Sequence, residues 1–413
     1  MAPMTQTNPR RTAPPPRRRR AARKRRSLRP LILLLALVLV LGVAGWALLH
    51  GESSVGPGAG PSASTSPKPM PVTKVSAELL PPLAQSSVRP ASADKAAPVV
   101  QVTAQTVKDD SKVTLQERRA GSWVDVSTLA LDKQGTATFE APSTRADRGR
   151  PLRVVSTVNH DVRSAALDPR TWAVGFEDQF DGDALDTTKW DYRLQGVLMD
   201  PGRTKSESSP DAVRLENGAL KLSVLPNPVR GAGYYLNGHI STEMSYSFTY
   251  GVAAARVKFE KPRGMHGGFW MQSPSFGSVP GDAKASGGEI DAAEYFGDTY
   301  PDGGLAAFTY FRNKAGESQK YGGMLPQTQA MLDKGDAWWK RYHVFSVQWT
   351  PDAYVFRVDG EETLRQTTDI SGAPEFLVLS LLTSDWELPH LDESTLPADM
   401  KVDWVRVWQQ KNS

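Results

Sequence analysis

Apolar and polar residues alternate over short stretches through most of this chain, and long helical periodicity is absent. From Val99 to about Ala166 the runs Val99-Val100-Gln101-Val102, Lys112 to Gln116, Trp123 to Val126, Thr136 to Phe139 and Leu152 to Val155 recur with turn residues between them. Short runs at such spacing predict a small β-sandwich over residues 98–168. From 171 to 411 the pattern returns at larger scale, in Ala219 to Leu225, Val252 to Phe259, Tyr342 to Trp349, Tyr354 to Val358 and Phe376 to Leu382. These runs predict an all-β fold, an antiparallel sandwich of two sheets, and the change of pattern near Trp172 implies that this second sandwich folds without the first.

The first hundred residues break the alternation. Residues 31–49 are uncharged and mostly apolar, which is about the length needed to cross a bilayer as a helix. Residues 1–30 before them hold 11 Lys and Arg and no acid, so the net charge of +4 becomes −7 once that tail is set aside. Positive charge on the amino side of a span keeps the tail in the cytoplasm and sends the downstream chain outside. The expectation is therefore a single-pass protein of the cell membrane with its folded part extracellular. The alternative is secretion after cleavage of a signal peptide, but its apolar region is usually shorter and ends at small residues, whereas this run meets Gly45-Trp46-Ala47-Leu48-Leu49. Directly before a span, the Arg run is topological and no nucleic-acid partner is implied. Residues 51–97, rich in Pro, Ser, Ala and Gly, are expected to form a disordered linker. The absence of cysteine excludes disulfides, thiolate metal sites and Cys nucleophiles.

The candidate chemistry lies between Gly287 and Gly297, where Glu289, Asp291 and Glu294 crowd together with no Lys or Arg among them. On a regular strand Glu289 and Asp291 share a face and Glu294 points to the other. A β-bulge at Ala292–Ala293 shifts the parity by one and returns Glu294 to the face of the other two. Two close carboxyl groups suit retaining glycoside hydrolysis, which needs a nucleophile and an acid about 5–5.5 Å apart. Crowding also keeps all three from ionising together at neutral pH, so at least one pKa is expected to rise. No zinc-protease, nucleophile-elbow, phosphate-loop or dinucleotide pattern competes with this reading, and the six histidines are scattered.

The sequence Glu-Ile-Asp-Ala-Ala-Glu resembles the bulged Glu-x-Asp-x-x-Glu signature of glycoside hydrolase family 16, in the manner of bacterial endo-β-glucanases and laminarinases. Further landmarks resemble that family in order: Phe176 to Gly182, Gly238 to Thr242, Gly268 to Gln272, Trp349 to Asp352, Val358 to Gly360 and Val402 to Val407. The resemblance covers roughly Trp172 to Gln409 and implies a β-jelly roll of the concanavalin A-like kind whose concave sheet forms a sugar cleft. It implies Glu289 as nucleophile, Asp291 as its assistant and Glu294 as acid and base, in double displacement on a β-linked polysaccharide, with β-1,3- or mixed-linkage glucan foremost. It calls for no cofactor in catalysis, but implies a structural calcium held through Glu177, Gly218 and Asp403. The smaller sandwich is similar in pattern to immunoglobulin-like modules of bacterial surface proteins, either a spacer or a sugar-binding module with Trp123 as its stacking residue.

Flat side chains suit the apolar faces of pyranose rings, so Trp270 and Trp386 are expected to bind substrate, with Tyr295 and Gln272 hydrogen-bonding sugar hydroxyls. Trp338, Trp339, Trp349 and Trp404 are assigned to packing, and His239 and His343 to structure. The chain departs from the family where substrate is chosen: Ala292 and Ala293 stand in the bulge, residues 305–310 lack an expected His, and Ser384-Asp385-Trp386 replaces a Gly-Gly-Trp-like loop. A transglycosylase acting on wall glycan and a catalytically inactive glycan-binding surface protein are the alternative readings. A monomer is expected.

Overall fold

The computed structural model describes residues 72–105, 111–142, 149–199 and 201–411. The basic tail, the apolar run 31–49 and the expected linker as far as residue 71 lie outside the described residues. Among the described residues no helix is long and apolar enough to cross a membrane, and the one α-helix is the single turn Ala283–Ser286.

Two antiparallel sheets face each other in the larger part of the chain, as the alternation predicts. The front sheet runs through Asp191–Tyr192, Tyr235–Ser241, Phe376–Leu382, His266–Gln272, Glu289–Tyr295, Leu305–Arg312 and Ser318–Met324. The back sheet is built on the long strand Ala398–Gln410, flanked on one side by Leu220–Pro226 and Trp172–Asp178 and on the other by Gly251–Lys258, His343–Trp349, Tyr354–Val358 and Glu361–Gln366. Phe269, Met271, Ile290, Leu377, Leu379 and Leu381 from the front interleave with Ala253, Ala255, Phe345, Val347, Val405 and Val407 from the back in one buried core. This is the jelly-roll sandwich expected from the sequence.

The back sheet is buried on its outer face as well. Val252, Ala254, Val344, Trp172, Trp404 and Trp408 point outward and pack against Leu80, Leu83 and Val99 of the N-terminal region. Burial on both faces explains why residues 252–255 are apolar without a break rather than alternating. The smaller sandwich, with sheets of Lys74–Ala84, Ala97–Gln105, Thr136–Glu140 and of Ser122–Ala130, Lys112–Arg119, Leu152–Ser156, has a core of its own, yet it shares this second core with the larger one.

Two expectations are corrected here. The linker expected to reach residue 97 ends by Lys74, where an 11-residue strand begins and pairs with Ala97–Gln105. Its Pro-rich composition concealed it, but it lies at a sheet edge, where proline is tolerated, and the register shifts beside Pro82. The second correction concerns independence, because without residues 74–99 the larger sandwich would expose the indoles of Trp172, Trp404 and Trp408. Trp172 Nε1 also donates to Leu79 O at 2.9 Å, and Trp404 Nε1 to Gln85 Oε1 at 2.8 Å.

Charged groups at this junction are paired. Arg256, fully buried, forms an ion pair with Asp403 and also donates to Gln85 O at 2.8 Å and Ser87 Oγ at 2.6 Å, with its guanidinium 4.9 Å from the Tyr342 ring. Arg406 pairs with Glu177 and, at 2.7 Å, with Asp94. Of the residues named for a structural calcium, Glu177 and Gly218 would offer backbone oxygens, whereas the Asp403 carboxylate, the one side chain of the set, is engaged by a buried guanidinium and by Ala91 N and does not fit a cation. Nor do the described residues hold a cluster of three His, Asp or Glu that could bind a metal. In the smaller sandwich the Arg153 guanidinium lies 4.3 Å from the Trp123 ring, so a stacking role for Trp123 would require that arginine to move.

Candidate active site

The bulge forms where the two alanines allow it. Along His266–Gln272 the register pairs Asp291 with Trp270 and Ala293 with Phe269, leaving Ala292 as the inserted residue. On the other side Asp291 faces Phe308 and Glu294 faces Ala306. Ile290, Ala292, Ala293 and Tyr295 all enter the core, which places Glu289, Asp291 and Glu294 together on the opposite face. A larger residue at Ala292 or Ala293 would have to displace core atoms, since both are within 5% of full burial.

The flanking register sets a neighbour beside each carboxylate. Gln272 is opposite Glu289, Trp270 opposite Asp291 and Gly268 opposite Glu294, while Tyr310 is opposite Glu289 on the far side. Gln272 Nε2 donates to Glu289 Oε2 at 2.7 Å, and its Oε1 accepts from Arg193 Nη2 at 2.5 Å. Gln272 is thus a residue that positions Glu289, and its polar atoms are engaged by protein. Trp270 is half-buried, donates from Nε1 to Ser380 Oγ at 3.0 Å, and carries the Arg193 guanidinium 5.2 Å from its ring centre. Trp386 is 54% exposed and lines the same cleft, a recess of about 600 Å³ that also includes Arg203, Glu289, Glu294, Tyr300 and Lys320.

Tyr295 does not join the site. The parity that turns Glu294 outward turns Tyr295 into the core, where it is 2% exposed and packs 5.3 Å from the Phe259 ring. Four residues bearing on the cleft carried no family signal: Arg193, Arg203, His266 and Glu387. His266 Nδ1 and Glu387 Oε2 are 2.8 Å apart, Glu387 also accepts from Ser384 N at 2.9 Å, and the imidazole stacks at 6.5 Å on Trp386. His266 lies two residues before Gly268 on the same face, which places its ring diagonally across from Glu294. The only hint in the sequence was the even spacing that sets His266, Gly268 and Trp270 on one face of the strand.

Burial dominates the electrostatics. Glu289 is pushed up by burial and by the charge of Glu294, against the hydrogen bond from Gln272 and the charges of Arg193 and Arg203. Asp291, buried with Glu289, Glu294 and Glu375 around it, is raised well above the usual carboxylate range. Glu294 is raised by burial and by Glu387, against the charges of His266, Arg203 and Lys320. His266 is itself raised: burial disfavours its charge, but the charge and hydrogen bond of Glu387 outweigh that. Such a site offers a nucleophile held by an amide, a carboxyl between two others that is pushed toward its neutral form, and an acid beside an imidazole that is pushed toward its charged form.

Comparison with known proteins finds relatives of the larger sandwich. Residues 174–410 match the profile of the family described as β-porphyranase A–D, GH16 domain. Over 268 residues, 57% of the chain is 27% identical to glucan endo-1,3-beta-glucosidase A1 of Niallia circulans, although the match spans only 38% of that protein. A β-glucanase of Rhodothermus marinus is 25% identical over 58% of the chain and 85% of its own length. β-Porphyranase E of Zobellia galactanivorans is 27% identical over 56% of the chain and 85% of its own length.

Proposed function

The chain belongs to glycoside hydrolase family 16, and from that membership we propose that it is an endo-acting hydrolase that cleaves a β-linked polysaccharide, foremost a β-1,3- or mixed-linkage glucan, with retention of configuration. The observation that carries the reading is the bulge that brings Glu289, Asp291 and Glu294 to one face of the sheet, where Glu289 and Glu294 line a cleft together with Trp386. Relatives named as an endo-1,3-β-glucosidase and a β-glucanase support the substrate class.

Glu289 attacks the anomeric carbon, and Glu294 gives its proton to the departing glycosidic oxygen. Asp291, pushed toward its neutral form by burial and by the neighbouring carboxylates, separates the two and limits the charge that Glu289 must share. In the second half Glu294, now ionised, removes a proton from water, which attacks the glycosyl ester and returns the β-anomer. Gln272 and Arg193 hold Glu289 in place.

Purified protein incubated with a panel of polysaccharides, with the first anomer followed by proton NMR, tests this proposal. Release of β-configured oligosaccharides from β-1,3- or mixed-linkage glucan is expected, and an α-product would overturn the mechanism. Products longer than the substrate would instead identify a transglycosylase. A second reading is favoured by the cations of the cleft: Arg203 and Lys320 suit a glycan that carries acidic groups, and activity on an acidic galactan alone would replace the glucan reading. The run Leu31–Leu49 behind 11 basic residues supports placing the catalytic part outside a cell membrane. External protease acting on intact wall-less cells should then remove the folded part, and protection would overturn that placement.

A further inference from the structure

A second recess, of about 630 Å³, lies beside the catalytic cleft, and four cations line it: Lys258, Lys261, Arg263 and Lys401. Neighbouring residues of two segments line one or the other. In the loop after the acidic strand, Tyr300 faces the cleft and Asp298 and Thr299 the recess, and in the segment after Trp386, His390 and Asp392 belong to the recess. The partition is tightly seated, because Gly297 adopts a φ of +88° and a Cβ there would stand 2.2 Å from Pro262 O.

Among the described residues none of the four cations forms an ion pair. Lys258 and Lys401 are directly opposite each other on neighbouring strands, with Lys221 opposite Lys401 on its other side. Like charges directly opposite in a ladder are destabilising. Only Lys221 is compensated, by Asp399 at 3.0 Å and Glu216 at 3.6 Å. Lys258 is held below its usual range by burial and by Lys401. None of the three acids of the recess pairs with these four cations: Asp399 faces Lys221 and Ser223, Asp392 caps the turn at Ser394, and Asp298 accepts from Thr299 N at 3.2 Å. One wall carries the Trp339 indole with the buried Phe259 beside it, and two ammonium groups stand by that ring, Lys261 Nζ at 4.7 Å and Lys340 Nζ at 5.2 Å, so that a sugar stacking there would displace at least one of them.

We propose that this recess is a second glycan site, which takes a sugar bearing a sulfate, phosphate or carboxylate group on Lys258, Lys401 and Arg263 with its ring against the Trp339 wall. An uncompensated cross-strand pair of ammonium groups is relieved by an anion, and an indole beside it suits a pyranose face. Arg263 ties the two sites together, since its guanidinium lies 5.2 Å from the ring of Tyr300 in the catalytic cleft. The inference goes beyond the hydrolytic reading and does not depend on it, because it is tested by binding alone.

The full chain carrying Glu289→Gln is titrated calorimetrically with a sulfated galactan hexasaccharide, a polygalacturonate hexasaccharide, neutral laminarihexaose and inorganic sulfate. The acidic oligosaccharides should bind with an affinity that falls with salt, and adding Lys258→Ser and Lys401→Ser should weaken them roughly 10–100-fold, the worth of a charged hydrogen bond. Laminarihexaose should be unaffected by those substitutions. Which acidic sugar binds tells the sulfate from the carboxylate source. The melting temperature of the Lys258→Ser, Lys401→Ser variant should stay level or rise, because a repulsion has been removed. Equal binding of acidic sugars by the variant, or inorganic sulfate binding as tightly as the sulfated hexasaccharide, would overturn the proposal.

Discussion

The two faces of the catalytic sandwich both bury charge, and they do it in opposite ways. On the front, Glu289, Asp291 and Glu294 crowd three like groups onto one strand. Cations stand near, none of the described residues forms an ion pair with any of the three, and all are pushed toward their neutral forms. On the back, Arg256 meets Asp403 and Arg406 meets Glu177, and the N-terminal sandwich closes over them with hydrogen bonds from its own backbone and side chains. Crowded like charges are a reservoir of perturbed proton affinity, which chemistry can use. Paired charges under an apolar cover supply specificity of docking and resist opening.

The sharpest way to break the comparison is to neutralise one group on each face. Glu289→Gln should lower kcat roughly 10⁴–10⁶-fold while the melting temperature holds or rises, because the front gives up a repulsion. Arg256→Ala should do the reverse, lowering stability by about 3–5 kcal/mol through an unpaired buried Asp403. Its measured kcat per folded molecule should be unchanged. The double substitution Arg256→Met, Asp403→Leu should recover most of that loss, since a buried pair is replaceable by apolar groups of similar volume. Denaturant titration of the three proteins decides it, and a double variant no better than Arg256→Ala would mean that the ion pair itself holds the junction.

Removing the cover is the next test. A fragment beginning at Asp168 exposes Trp172, Trp404 and Trp408, and burial of one such side chain is worth about 1.5–3 kcal/mol. Such a fragment should aggregate or melt well below the chain that begins before Lys74, as differential scanning calorimetry would record. A fragment that melts at the temperature of the longer chain would restore the independence expected from the sequence.

Proton linkage offers a finer probe of the front. Glu375, fully buried beneath the acidic strand and accepting from Gly288 N at 3.2 Å, is pushed up by burial to about 8 from an ordinary value of 4.5. Between those values the folded chain holds a proton that the unfolded chain has lost. Stability must therefore fall as pH rises from 4.5 to 8, by at most about 1.4 kcal/mol per unit from this group. Glu375→Gln should flatten that decline, measured as denaturant midpoints across the window. An unchanged slope would assign it to the other buried acids.

The smallest expected effect is on the shape of the pH–rate profile. His266 lowers the proton affinity of Glu294 through its charge, and Glu387 raises it. His266→Gln removes the imidazolium and leaves Glu387, so Glu294 should keep its proton to higher pH and the basic limb of kcat/KM should move upward. A downward shift would mean that Glu294 is not the acid.

The amino-acid sequence alone determined the all-β sandwich, the acidic strand and its bulge, because alternation of side chains is a local property and the spacing Glu-x-Asp-x-x-Glu with two small residues admits few ways to put three carboxyls on one face. It also determined that Trp349 and Trp404 pack inside. Only the tertiary structure decided what lay across strands. Tyr295 was lost to the core by the same parity that turned Glu294 out, while His266, Arg193 and Arg203 reached the site through registers and loops that leave no periodic trace. Strand Lys74–Ala84 was hidden by its prolines until its edge position made them acceptable, and Asp403 found a guanidinium 147 residues away in sequence. Local patterns record the face a residue takes, whereas its partner is set by long-range pairing that no stretch of sequence contains.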